Sequence, residues 1–146
     1  MPRLLLLTTI LLLTTTLSQA QVISRDSLMG AWVCKKTVMA EEFTFTDAEM
    51  KIVNEKIVAL LTGSTMLFKK NGLFEWKFSP NAPASANDFK ELNGKEWIID
   101  TVNDVIHIGK PSENLMMFRI AQESGTTYFI IDDFPVKLQV EKQLLR

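Results

Sequence analysis

The chain has 146 residues, of which 16 are basic and 17 acidic, a formal net charge of −1, 47% hydrophobic residues, one cysteine and one histidine. That balance lacks the basic excess that a nucleic-acid backbone or an anionic membrane surface would call for. A single cysteine cannot close an internal disulfide, so the core must stabilise the fold unaided.

The first element is a leader. Met1 and Arg3 supply positive charge, Leu4 to Leu17 is apolar, and Ser18-Gln19-Ala20 puts small residues where a signal peptidase reads. Cleavage after Ala20 is the expectation, with export to the periplasm or the cell exterior. The apolar stretch falls short of the roughly 20 residues of a membrane span, and no second one follows, so no span is expected. Position 21 is Gln rather than Cys, so no lipid anchor is expected either. Removing residues 1–20 from 146 leaves 126, enough for one domain over 21–146 and too few for two. Without Arg3 that domain carries 15 basic and 17 acidic residues, net −2.

After Arg25-Asp26-Ser27, the β-rich segment Ala31 to Val38 predicts the first strand. Cys34 within it reads as a small buried apolar residue. Thr46, three residues before Glu49, has the spacing of a capping box. Met50, Val53, Ile57, Leu60 and Leu61 then recur at helical spacing opposite Lys51, Asn54, Glu55 and Lys56, with Gly63 placed to end the helix. Phe74-Glu75-Trp76-Lys77-Phe78 alternates aromatic and charged residues and predicts a strand covering a core or cavity. The preceding Lys69-Lys70-Asn71-Gly72 signals a hairpin. A three-residue loop with Gly72 in the left-handed conformation sets Phe74 beside Phe68 and Trp76 beside Met66, which keeps Lys69 outside; a two-residue loop would not.

Ser79 to Gly94 is a long linker rich in Ala, Pro, Asn and Ser, expected at a rim. Further strands are expected at Glu96 to Thr101, Val105 to Gly109, Leu115 to Ala121, Thr126 to Asp132 and Val136 to Glu141, separated by short turns, one of them Glu-Ser-Gly. Eight short strands predict an all-β fold: an antiparallel, up-and-down eight-stranded barrel with one amphipathic helix inserted between strands 1 and 2. A sandwich would show the same alternation.

Gly30-Ala31-Trp32 at the head of the first strand resembles the Gly-x-Trp of the lipocalins, and the layout is similar to small exported lipocalin-like proteins of bacteria, within the calycin superfamily. Gly94 to Trp97 and Asn71-Gly72-Leu73-Phe74 resemble the starts of later elements in such proteins. The resemblance implies that Trp32 closes the narrow end of the barrel and that a basic residue near the last strand, Lys142 or Arg146, stacks on it. The helix between strands one and two is similar to the portal lid of fatty-acid-binding proteins more than to a lipocalin loop.

Chemistry-bearing residues are sparse. His107 stands in Val105-Ile106-His107-Ile108 without partners at catalytic or metal-binding spacing, and reads as a wall residue. No phosphate loop or nucleophile motif occurs. Carboxylate pairs occur at Glu41-Glu42 and Asp132-Asp133; adjacent acids in a strand point to opposite sides, so the second pair reads as a turn rather than a catalytic dyad or calcium site. The expectation is therefore no enzyme, no cofactor and no metal. Alternation places Phe68, Phe74, Trp76, Phe78, Trp97, Met116, Phe118, Tyr128 and Ile130 on inward faces, where they would line a site for a small apolar ligand such as a lipid or fatty acid. The same rings would equally fill a small barrel, in which case the protein acts through its surface on a protein partner, as an inhibitor or an accessory subunit, or pairs with itself.

Overall fold

The computed structural model describes residues 23–39, 48–113, 115–132, 134 and 136–144. A short helix α1 (Arg25–Leu28) leads into β1 (Gly30–Met39), and helix α2 (Ala48–Leu61) follows. The strands β2 (Thr65–Phe68), β3 (Phe74–Lys77), β4 (Trp97–Asp100), β5 (Val105–Ile108), β6 (Met116–Glu123), β7 (Thr126–Ile131) and β8 (Val136–Gln143) complete the chain. They form one antiparallel eight-stranded sheet in the order β3-β2-β1-β8-β7-β6-β5-β4. Apart from β3 and β4, every strand is paired with its sequence neighbours, and β8 returns to β1, which is the order of an up-and-down barrel.

The remaining seam, between β3 and β4, is nearly closed. Leu73 bridges Glu96, Phe74 N–H donates to Lys95 O at 2.8 Å, and Trp97 N–H donates to Gly72 O at 2.9 Å. One step further along, the Trp76 N–H donates to the side-chain Oδ1 of Asn93 at 2.7 Å. An amide side chain there takes the place of a missing strand neighbour, so a buried donor keeps its acceptor. These bonds make the sheet a barrel and not a sandwich.

Local chemistry sets the registers. Lys69 N–H bonds to Leu73 O, leaving the three-residue loop Lys70-Asn71-Gly72 with Gly72 at φ +85°, and Phe68 pairs Phe74 while Met66 pairs Trp76. This is the register predicted by keeping Lys69 outside. The β6–β7 turn corrects the other prediction. Ser124 and Gly125 both have positive φ, 50° and 80°, a two-residue hairpin loop that pairs Glu123 with Thr126 and hence Phe118 with Ile131. Phe129 and Ile131 therefore face the core, fully buried, while Tyr128 and Ile130 are only half-buried and face out. The inward placement of Tyr128 and Ile130 fails because a Glu-Ser-Gly loop, one residue longer, flips every later side chain.

Helix α2 ends at Leu61, as Gly63 requires, but its apolar stripe is only partly used. Leu60 and Leu61 are buried and Ile57 half-buried, whereas Met50, Ile52 and Val53 are 41%, 53% and 47% exposed. Thr46, and with it the predicted capping box, lies outside the described residues. The linker is not featureless: Ala84–Leu92 forms 3-10 turns that bury Leu92 and half-bury Phe89. No helix among the described residues is long and apolar enough to cross a membrane.

Candidate functional site

The barrel interior is a web of rings. Phe68 meets Phe74 at 5.2 Å, Trp97 at 5.5 Å and Phe129 at 6.0 Å between centroids, and Phe118 meets Phe74, Trp76 and Phe129 at 6.1, 5.7 and 6.0 Å. These are tilted and edge-on contacts at the separations aromatic pairs favour. Phe68, Phe74, Phe118 and Phe129 are each at most 1% exposed. The rings pack in contact with one another and fill the region they share.

The three indoles spend their polar handle inside the protein. Trp32 Nε1 donates to Leu28 O at 2.7 Å, Trp97 Nε1 to Lys69 O at 3.1 Å, and Trp76 Nε1 to Ser64 Oγ at 3.0 Å, while Ser64 Oγ donates to Leu61 O at 2.7 Å. None of the three indole N–H groups is left over for a ligand.

The two ends of the barrel differ in construction. At the first, where β1 begins, α1 is held by a set of cation and carbonyl contacts. The Lys142 ammonium lies 5.6 Å over the Trp32 ring and donates to Ser27 O at 2.7 Å, and the Arg25 guanidinium lies 4.2 Å over Trp97. Trp32 itself packs on Phe129 at 5.3 Å. This is the Trp-plus-base arrangement expected of Lys142; Arg146 lies outside the described residues. Strand direction puts α2 and the 84–92 turns at the other end. There Trp76 stacks on Phe78 at 5.1 Å with 26° between planes, and Phe89 sits edge-on to Trp76 at 5.2 Å and 5.5 Å from Phe78. Phe78 and Phe89 are half-buried. A buried indole faced by two accessible phenyl rings is an apolar platform at the lidded end.

Of the predicted site residues, Phe68, Phe74, Trp76, Trp97 and Phe118 share the ring web, Phe78 joins it at the rim, and Met116 is buried in the same core. Tyr128 stands apart on the outer face under the Lys137 ammonium, 4.3 Å from its ring. Sequence reasoning missed Phe129, through the β7 parity, and Phe89. The linker did carry a signal for Phe89: it and Leu92, three apart, are its only large apolar residues.

Chemical groups are few and engaged. His107 is half-buried on the outer side of β5, between Ile98 and Met117 on its neighbouring strands. Burial pushes the Cys34 thiol up from its ordinary value, against the lowering effect of hydrogen bonding with Thr37. Such a thiol is a poor nucleophile. Asp100 caps its own turn by accepting from the backbone N–H groups of Val102 and Asn103 and from the Asn103 amide, which holds its carboxyl below the usual range. Among the described residues no three His, Cys, Asp or Glu side chains come together to hold a metal ion. Compared with known proteins, the chain matches no family model, no curated protein and no solved structure.

Proposed function

We propose that this is an exported, non-enzymatic, lipocalin-like binding protein of bacterial type, directed by residues 1–20 to the periplasm or beyond, that takes an apolar ligand of the lipid or fatty-acid class at the lidded end of its barrel. The observation that carries the reading is the Trp76–Phe78–Phe89 platform, with two half-buried rings over a buried one. Small-molecule sites are lined mainly by apolar and aromatic side chains with few polar groups. Burying it against a ligand contributes roughly 25 cal/mol per Å² removed from water, and no covalent chemistry is involved. The deeper candidates Phe68, Phe74, Trp97, Met116 and Phe118 support the platform from below; a ligand reaches them only if the rings move apart.

A specific observation favours a second reading. The interior rings pack on one another, and Met50, Ile52 and Val53 stand exposed on α2. Both suit a filled barrel that acts through its surface on a protein partner or on a second copy. Native mass spectrometry of the protein purified from its own host, with organic extraction of whatever is bound, separates the two. A stoichiometric apolar adduct that is lost in Phe89→Ala establishes the carrier. A clean mass after incubation with a lipid extract sinks it in favour of the surface module.

A further inference from the structure

The β7–β8 ladder stops short at the α1 end. It runs from Ile131 and Val136 to Thr127 and Val140, whereas β8 continues along β1 as Glu141, Lys142 and Gln143 paired with Val33, Trp32 and Ala31. On the other side Thr126 pairs only back across its own hairpin, with Glu123. The two strands therefore splay beyond Thr127 and Val140, and a groove of about 360 Å³ opens between them. Trp32, Lys35, Thr126, Thr127, Glu141 and Lys142 are among its walls.

The make-up of this groove is unlike that of the lidded end. Trp32 supplies the one aromatic surface; it is half-buried, packed on Phe129 with the Lys142 ammonium over its ring, and because its indole N–H is bonded to Leu28 O the part left uncovered is hydrocarbon. The register shift between Cys34 and Lys36 leaves Lys35 as an extra residue, whose ammonium lies 3.5 Å from Glu141. Lys142 gives one proton to Ser27 O and keeps others to donate. Two ammonium groups against one carboxylate leave an excess positive charge beside the uncovered part of the Trp32 ring, with Thr126 and Thr127 on the β7 side. The volume is at the lower end of the roughly 300 to 1,000 Å³ of small-ligand sites.

We propose that this splay is a second binding site, for a small organic anion whose flat apolar part lies on Trp32 and whose charge meets Lys142 and Lys35. It is independent of the platform at the opposite end, and neither site needs the other. Glu141 offsets one of the two ammonium groups, so the walls carry one net positive charge and a single negative charge fits better than two.

Indole-3-acetate is a suitable probe, with tryptophol as its neutral counterpart, each titrated into the ¹⁵N-labelled protein. The acetate should shift the amides of Gly125, Thr126, Thr127 and Lys142 and the Trp32 indole N–H, and tryptophol should shift them far less. Lys142→Gln should weaken the acetate about fivefold, the size of one partly exposed ion pair. Because that substitution also frees α1, Lys35→Gln, which leaves the α1 contacts in place, is the second variant and should weaken the acetate two- to threefold, about half the Lys142 effect on a free-energy scale. Shifts at Phe78 and Phe89 instead, equal responses to the two probes, or unchanged affinity in both variants would each overturn the site.

Discussion

The two ends of this barrel close by different physics. At the α1 end, directional contacts specify the geometry: two cations over indole faces, an indole N–H on a carbonyl and an ammonium on another. At the lidded end, α2 is anchored through Leu60 and Leu61 and the 84–92 turns through Phe89 and Leu92, and the polar bonds gather where these segments end, Thr37 on Thr62, Gly63 N–H on Cys34 O and Trp76 N–H on Asn93. Directional contacts hold one arrangement, whereas apolar contacts tolerate sliding, so α2 and the 84–92 turns can move apart for a ligand more readily than α1 can.

Substitutions can break or sharpen that contrast. The largest effect belongs to neither end: Phe118→Ala, at the crossing of three ring contacts, should cost about 3 to 5 kcal/mol in urea denaturation. A loss below about 1 kcal/mol would mean the rings do not pack as a unit. Next, Trp32→Ala should cost about 2 to 3 kcal/mol, since a half-buried indole, its hydrogen bond and a cation contact go together. A normal melting temperature would remove the clamp from the account. At the other end, Phe89→Ala should cost only about 1 kcal/mol and should speed hydrogen exchange in 84–92 while leaving β1 and β8 protected. Equal costs for Trp32→Ala and Phe89→Ala would erase the distinction between the ends. Asn93→Ala, at the seam, should cost about 1 to 2 kcal/mol by orphaning the Trp76 N–H, and Asn93→Asp should retain the acceptor and recover part of it.

The smallest effect is one of pH. Burial raises the Cys34 thiol above its ordinary value of 9.0, so the unfolded chain loses that proton first as pH rises. Above about pH 9 the folded state binds more protons than the unfolded one, and stability falls. Urea midpoints at about pH 8 and about pH 10 should show a drop that Cys34→Ala reduces. At the acid side Asp100 has the opposite sign: held low by Asn103, its contribution is present above the ordinary carboxylate range and fades as pH falls through its lowered value. It sits exposed in its turn, so the change should be visible in the exchange of the 101–104 amides rather than in global stability.

How far the sequence spoke for this structure depended on whether a charge stood in the alternation. Lys69, Glu75 and Lys77 face water, and that alone pins the β2–β3 register. Thr126 to Ile131 offers no such marker: every residue tolerates either face, so parity rested on the length of the turn, and a loop one residue too long sent Tyr128 inward and Phe129 out. The same reasoning explains the linker. Phe89 and Leu92 draw their helical turns from the aromatic surface they meet, and a surface assembled from distant strands leaves no local periodicity to read. The count of eight strands pointed to a barrel, but the bond that helps close its seam was not readable, since the Asn93 acceptor serves a residue 17 positions away.

The pairing of β1 with β8 carries a consequence in the time domain. Ala31 is matched with Gln143, so the strand made first waits for the one made last. Loop closure over such a span is slow, and topologies rich in distant pairings fold slowly. Until β8 emerges, β1 presents a bare edge and Trp32 lacks the ammonium that covers it. The local hairpins β2–β3, β5–β6 and β6–β7 need only neighbouring residues and can form early, whereas the barrel itself closes only once β8 is in place.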